Sequence, residues 1–243
     1  MTGVRSRGLS ANVLKIIAAV SMAVDHTGAI LFPRVYWLRI IGRLAMPIFA
    51  WFLAEGMRHT RSPLRYFIRV FTLAVVCQTP YVVFMNDWYF NILFTFSCSI
   101  GMMATVRAFR EAEGKDKYLI LLGLAAELGA AYLLTAQISI DYGFFGVILP
   151  VAAYAAEDRR GATAMFALCL AALSAKSLFS GTVNGFADAM YKMVRYRPQP
   201  FSLLSIPLLL LYSGKRGKLR MKYFFYIFYP AHLLILWLIS LII

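Results

Sequence analysis

The chain has 243 residues, 61% of them hydrophobic and 15% charged, with a formal net charge of +14 and a mean hydropathy of +0.69. Soluble domains are nearer half apolar and a quarter charged, so an ordinary water-soluble globule is excluded and an all-α, polytopic transmembrane helical bundle is expected. The basic residues fall in short loops between apolar runs, without any DNA- or RNA-binding signature. Nucleic acid is therefore not an expected partner, and a positive-inside topology accounts for the charge.

A membrane crossing needs about 20 consecutive apolar residues. In chain order the candidates are 12–32, 36–57, 66–85, 89–107, 117–136, 141–157, 162–180, 200–213 and 223–242, about nine segments. The eighth carries Pro200 and Pro207 and is expected to be short or broken. Residues 1–243 are expected to form a single integral membrane domain, with 1–11 as a cytoplasmic arm. Arg5, Arg7 and Lys15 precede the first apolar stretch, as in a signal peptide. No A-x-A-like site follows and Asp25-His26 interrupts the run, which predicts a retained helix. Cys77, Cys98 and Cys169 are separated and lack metal-ligand spacing, so neither a disulfide framework nor a metal site is expected.

Lys and Arg mark alternate loops: Arg58, Arg61 and Arg65; Arg107, Arg110, Lys115 and Lys117; Arg159 and Arg160; then Lys215, Arg216, Lys218, Arg220 and Lys222. Loops 86–88 and 137–140 carry none. This predicts a cytoplasmic N-terminus in the cell (cytoplasmic or inner) membrane, with membrane lipids as surroundings. Lys192, Arg195 and Arg197 break the pattern from a nominally outer loop; they are a functional basic patch or the sign of a miscounted helix.

All three histidines lie in or at the lip of apolar runs, where ionisable groups are expensive and so mark function by default. Asp25 and His26 sit some thirteen residues into the first helix, about 20 Å from its start. Adjacent residues diverge by about 100°, so the two point different ways. His26 is suited to general-base work and Asp25 to pairing with Arg43 of the next helix; a structural polar clamp is the alternative. Around Arg43, Gly42 permits close approach of another backbone, and Pro47 frees the Arg43 carbonyl. The arginine then serves an oxyanion or phosphate site, or else reaches the outer interface.

Glu55 and His59 share a helix face, and Arg58, Arg61 and Arg65 continue it, as a seat for the head of an anionic cofactor or as an ordinary charged helix end. Asn91 and Thr95 stand four apart, and Asp141-Tyr142-Gly143 opens the sixth segment. Each set lines a substrate path or serves as a cap and interhelical bond. In the last segment, Tyr226, Tyr229 and His232 cluster around Pro230; aromatic belts explain tyrosines but not a histidine about 15 Å into a membrane helix.

Leu14-Lys15-Ile-Ile-Ala18 leading to Met22-x-x-Asp25-His26, then Gly42-Arg43-Leu-Ala-x-Pro47, Glu55-Gly56-x-x-His59-Thr60, Asn91-Ile-Leu-Phe-Thr95, Tyr142-Gly143 and Phe225-Tyr-x-x-Tyr229-Pro230-x-His232 resemble the TraX family in matching order from about residue 12 to the C-terminus. That family's namesake is associated with N-acetylation of conjugative pilin, and the family looks distantly related to polytopic acyltransferases. The resemblance implies an acetyl-CoA-dependent acyltransferase and implicates Asp25, His26, Arg43, Glu55, His59 and His232. On that expectation His26 is the base supported by Asp25, and Arg43 or His232 stabilises the oxyanion. Arg58, Arg61, Arg65, Lys215, Arg216, Lys218 and Arg220 meet the phosphates of CoA. The acceptor is an amine or hydroxyl, on a pilin-like peptide or an envelope molecule. A proton-coupled transporter and a non-catalytic pilus-assembly factor remain as alternatives.

Overall fold

The structure, a computed structural model, describes residues 8–85, 88–218 and 221–242. Arg5 and Arg7 of the expected arm, and Arg220 of the last basic loop, lie outside these residues. The all-α fold expected from composition is the fold found: apart from two isolated backbone bridges, the described residues hold regular structure only as helices.

The helices gather in two compact units, one drawing on Met1–Phe49 and Ser174–Ile243, the other on Ala50–Leu173. In the first unit α1 (Ala11–Ile30) packs against α2 (Tyr36–Gly42) and against the last helix, Lys222–Ser240. Helix N-termini leave backbone donors unpaired. Here the segment after residue 211 accepts them: Ala11 N–H donates to the Lys215 carbonyl at 2.8 Å and Asn12 N–H to Arg216 at 3.1 Å, while Ser10 caps Val13. Gly217, at φ +96°, makes that turn, and a Cβ there would press on Ser10 and Asn12.

The segment expected over 36–57 is interrupted. After α2, α3 (Ala45–His59) starts anew. Pro47 has no N–H for the Arg43 carbonyl, so the ladder tightens to i−3 bonds, Arg43 to Ile40 and Leu44 to Ile41.

In the second unit α4 (Pro63–Met85), α5 (Ile92–Glu111), α6 (Gly114–Gln137), α7 (Gly143–Ala155) and most of α8 (Arg159–Leu178) follow α3. Hydroxyls join these helices where backbones come close: Ser99 donates to the Val147 carbonyl at 2.7 Å and Thr105 to Glu127 at 2.7 Å. No described residue of α6 is buried, although the helix is apolar all round. Such a helix suits lipid rather than water.

The amphipathic α9 (Phe186–Arg195), which the apolar-run criterion overlooked, precedes a 3-10 turn (Gln199–Leu204) and α10 (Ser205–Leu210). The two prolines divide the eighth segment in this way. The last helix is α11 (Lys222–Ser240), with Pro230 inside it. Among the described residues six helical segments are long and apolar enough to cross a membrane, with α2 and α3 counted together as Tyr36–His59; Gly143–Ala155, Gln199–Leu210 and Phe224–Ser240 are shorter, at 10–17 residues. The chain is an integral membrane protein; six segments meet the length and hydropathy of a crossing, and three shorter apolar helices accompany them.

Candidate functional site

Because α1 lies against both α2 and α11, the divergence of Asp25 and His26 sends one to each neighbour. Asp25 turns to α2. Its Oδ2 accepts from Arg39 Nη1 at 2.6 Å and its Oδ1 from Arg43 Nη2 at 2.5 Å. Arg39 Nη1 also donates to the Asp25 carbonyl at 3.0 Å, and Arg43 Nε to the Arg39 carbonyl at 3.2 Å. The Asp25 and Arg43 side chains are only 11% and 12% exposed. Arg43 is the partner that depth demanded; Arg39 was missed. Its position one turn before Arg43 was the available signal.

The close approach expected at Gly42 is found: a Cβ there would collide with the Cβ and carboxylate of Asp25 on α1. Gly42→Ala should therefore lower stability by about 1–3 kcal/mol through overpacking. Unfolding in detergent micelles measures it; a wild-type midpoint would mean that α1 and α2 part freely at this point.

His26 turns to α11, where its Nδ1 lies 2.7 Å from His232 Nε2. The rings are nearly parallel, at 9°, with centroids 4.9 Å apart. That separation is what an edge-to-edge N–H···N bond gives, since two ring radii add to the bond length, so the rings meet at their edges rather than face to face. His232 Nδ1 stands 2.7 Å from the Phe228 carbonyl, which can only accept. His232 therefore donates from Nδ1 and, when neutral, accepts at Nε2 from His26 Nδ1–H. The lone pair of His26 Nε2 remains, with no hydrogen-bond partner among the described residues. Asp25 plays no part in this chain of bonds: the orienting partner of His26 is His232. Tyr229 is buried one turn before His232, its ring 5.9 Å from the imidazole.

The remaining expected residues are placed as follows. Lys215, Arg216 and Lys218 are exposed in the first unit, beside the start of α1, and Tyr226 is half-buried on α11. In the second unit Glu55 pairs with Arg58 at 2.7 Å, and Arg58 Nη2 donates to the Ala153 carbonyl. His59 donates to the Glu55 carbonyl at 2.8 Å, while Arg61 and Arg65 are exposed. Asn91 is fully buried; it caps α5 through Leu93 N–H and donates to Gln78 and to the Ala74 carbonyl. Thr95 donates to the Asp141 carbonyl at 2.7 Å. Tyr142 adopts φ 60° at the start of α7. Of the three cations that broke the expected charge pattern, Lys192 pairs with Asp188 at 2.7 Å. The Lys192 hydrogen bond, and then the Asn184 N–H, hold the Asp188 carboxyl below its usual range.

A membrane-embedded helical protein, with a histidine pair and an arginine-clamped carboxylate on neighbouring faces of one helix, is the class that fold and site define. The chain belongs to the TraX family, whose description, TraX protein, matches residues 10–240. It is 29% identical to a probable fimbrial assembly protein FimC, serogroup H1, of Dichelobacter nodosus, with 96% of each chain covered. It is 25% identical to Protein TraX of Escherichia coli, over 95% of this chain and 87% of that one, and 26% identical to Protein TraX of the K12 strain over the same shares. No solved structure matches.

Proposed function

We propose that the protein is an acyltransferase of the cytoplasmic (inner) membrane, N-terminus inside, which moves acetyl from acetyl-CoA to an amine or hydroxyl. A pilin-like peptide N-terminus is the acceptor we favour, because the relatives carry fimbrial and TraX names; an envelope molecule has the same chemistry. The observation that carries this reading is the 2.7 Å bond between His26 and His232. It leaves His26 Nε2 as a lone pair backed by a neutral imidazole, the arrangement a general base needs.

In the reaction, His26 Nε2 takes the acceptor proton as nitrogen or oxygen attacks the thioester carbonyl. The new imidazolium is held by its Nδ1–H bond to His232. The tetrahedral oxyanion then collapses, the C–S bond breaks, and the CoA sulfur leaves with the proton returned by His26. Both ring nitrogens of His232 are engaged, so of the two candidates the oxyanion role falls to Arg43, acting through its positive charge while Asp25 and the Arg39 carbonyl hold the guanidinium in place. Tyr226 and Tyr229 flank the acceptor. Asn91, Thr95, Asp141 and Tyr142 line a path for the acceptor within the second unit. The exposed cations Lys215, Arg216 and Lys218 meet CoA phosphates beside the start of α1. Arg58, Arg61 and Arg65, with Glu55 and His59, form a second set suited to the same anion.

The test is incorporation of label from acetyl-CoA by purified protein supplied with membrane extract. Wild type should mark a defined acceptor, and His26→Ala should do so about 10²–10⁴-fold more slowly. Equal incorporation by the two proteins removes His26 as the base. Solute counterflow without a covalent product indicates a carrier instead. Pilus assembly that survives both His26→Ala and His232→Ala, in folded protein, indicates a non-catalytic factor.

A further inference from the structure

A cavity of about 370 Å³ opens within the first unit where α2 meets the segment following α9. Arg39, Arg43, Arg195 and Arg197 all line it, with Tyr36 and Gln199. Four guanidinium charges against the single Asp25 carboxylate leave three positive charges around one small space, since Lys192 and Asp188 neutralise each other nearby. Arginines are usually placed to be satisfied. Arg197 Nη1 is, by the Leu178 carbonyl at 2.7 Å.

Two donors are not. Arg195 Nη1 and Gln199 Nε2 are buried without a hydrogen-bond partner among the described residues, and Gln199 as a whole is only 7% exposed. Leaving a buried donor unmade is costly, the more so when it is charged. The Arg195 guanidinium is fixed rather than wandering, for it lies 3.7 Å from the centroid of the Tyr36 ring and its side chain also hydrogen-bonds Tyr196, while Nη1 is left without a partner among the described residues. An excess of cations around a space with room for a small group, with two unpartnered donors on the residues of its wall, has the chemistry of an anion site.

We propose that this cavity binds a phosphate group bearing two negative charges, carried by a soluble phosphate ester or by a lipid headgroup. A single carboxylate would neutralise one of the three charges and use fewer donors, whereas a phosphate offers three oxygens to a planar fork from several sides. The site is distinct from the exposed cations at Lys215–Lys218. Those stand beside Ala11, and the arginine clamp engages Asp25, fourteen residues or about 20 Å further along α1. The proposal stands whether or not the protein transfers acetyl groups.

Thermal unfolding of the full chain in detergent, at fixed ionic strength, tests it with three probes: glycerol 3-phosphate, phosphatidic acid in mixed micelles, and succinate. Saturating phosphate ligand should raise the wild-type midpoint by roughly 5–10 °C. Arg195→Gln should weaken the affinity about 10- to 100-fold. Gln199→Leu removes a buried nitrogen that has no partner, so its ligand-free midpoint should not fall while its phosphate shift shrinks. A shift with glycerol 3-phosphate identifies the soluble source; a shift with phosphatidic acid alone identifies the lipid. The proposal is overturned if neither phosphate probe shifts the wild type, if succinate shifts it as far, or if Arg195→Gln and Gln199→Leu both respond like wild type.

Discussion

Asp25→Ala should destabilise the protein by about 3–5 kcal/mol, the range for removing one member of a buried ion pair and stranding the other. Here two cations are stranded. Arg43 is only 12% exposed and Arg39 about a third, so Arg43 bears most of the loss, and the two guanidinium groups then repel each other across a shared space. Asp25→Asn keeps the shape and some acceptor capacity and should fall between wild type and alanine. The informative comparison is a triple replacement by leucine at Asp25 and methionine at Arg39 and Arg43. It removes all three charges together and, on general grounds, should cost far less than Asp25→Ala alone. Equilibrium unfolding in mixed micelles gives both numbers. An Asp25→Ala penalty below about 1 kcal/mol would show that the carboxylate does not hold these helices together.

That clamp also shows where reading the sequence succeeds and where it stops. Period and depth suffice to require a cation for Asp25 and to separate it from His26, because a helix turns about 100° per residue. They do not choose among cations on the same face, so Arg39 passed unnoticed beside Arg43. Pro47 announces a disturbed helix; that the chain breaks after Gly42 follows from the i−3 bonds and from Asp25 filling the space a side chain would need. The missed α9 is short and amphipathic, and a search for apolar runs is blind to such a helix. Arg195 and Arg197, an exception to the charge rule that pointed to a functional basic patch or a miscounted helix, line a cavity. Asn91 and Thr95 are a pair for which spacing left two readings open, a substrate path and a cap with an interhelical bond. A polar pair on one face invites a substrate, yet their bonds run to Gln78, Ala74, Leu93 and Asp141. Spacing says which residues share a face, and only packing says what that face meets.

The two histidines should fail together. If His232 acts by fixing the tautomer of His26 and holding the imidazolium, then His232→Ala should slow transfer by between about 10² and 10⁴, as loss of an orienting partner does elsewhere. His26→Ala should slow it by at least as much. The double variant should then be no slower than His26→Ala, because His232 has nothing left to orient, and groups that act as one unit are grossly non-additive. Multiplying penalties would mean that His232 serves the reaction separately, for example at the oxyanion. That outcome would conflict with the engagement of both its ring nitrogens, one with Phe228 and one with His26. His232→Gln sharpens the point. Glutamine presents a carbonyl that accepts from His26 Nδ1–H, so partial rescue relative to alanine would assign the role to hydrogen bonding, and no rescue would assign it to ring packing against Phe228 at 4.9 Å.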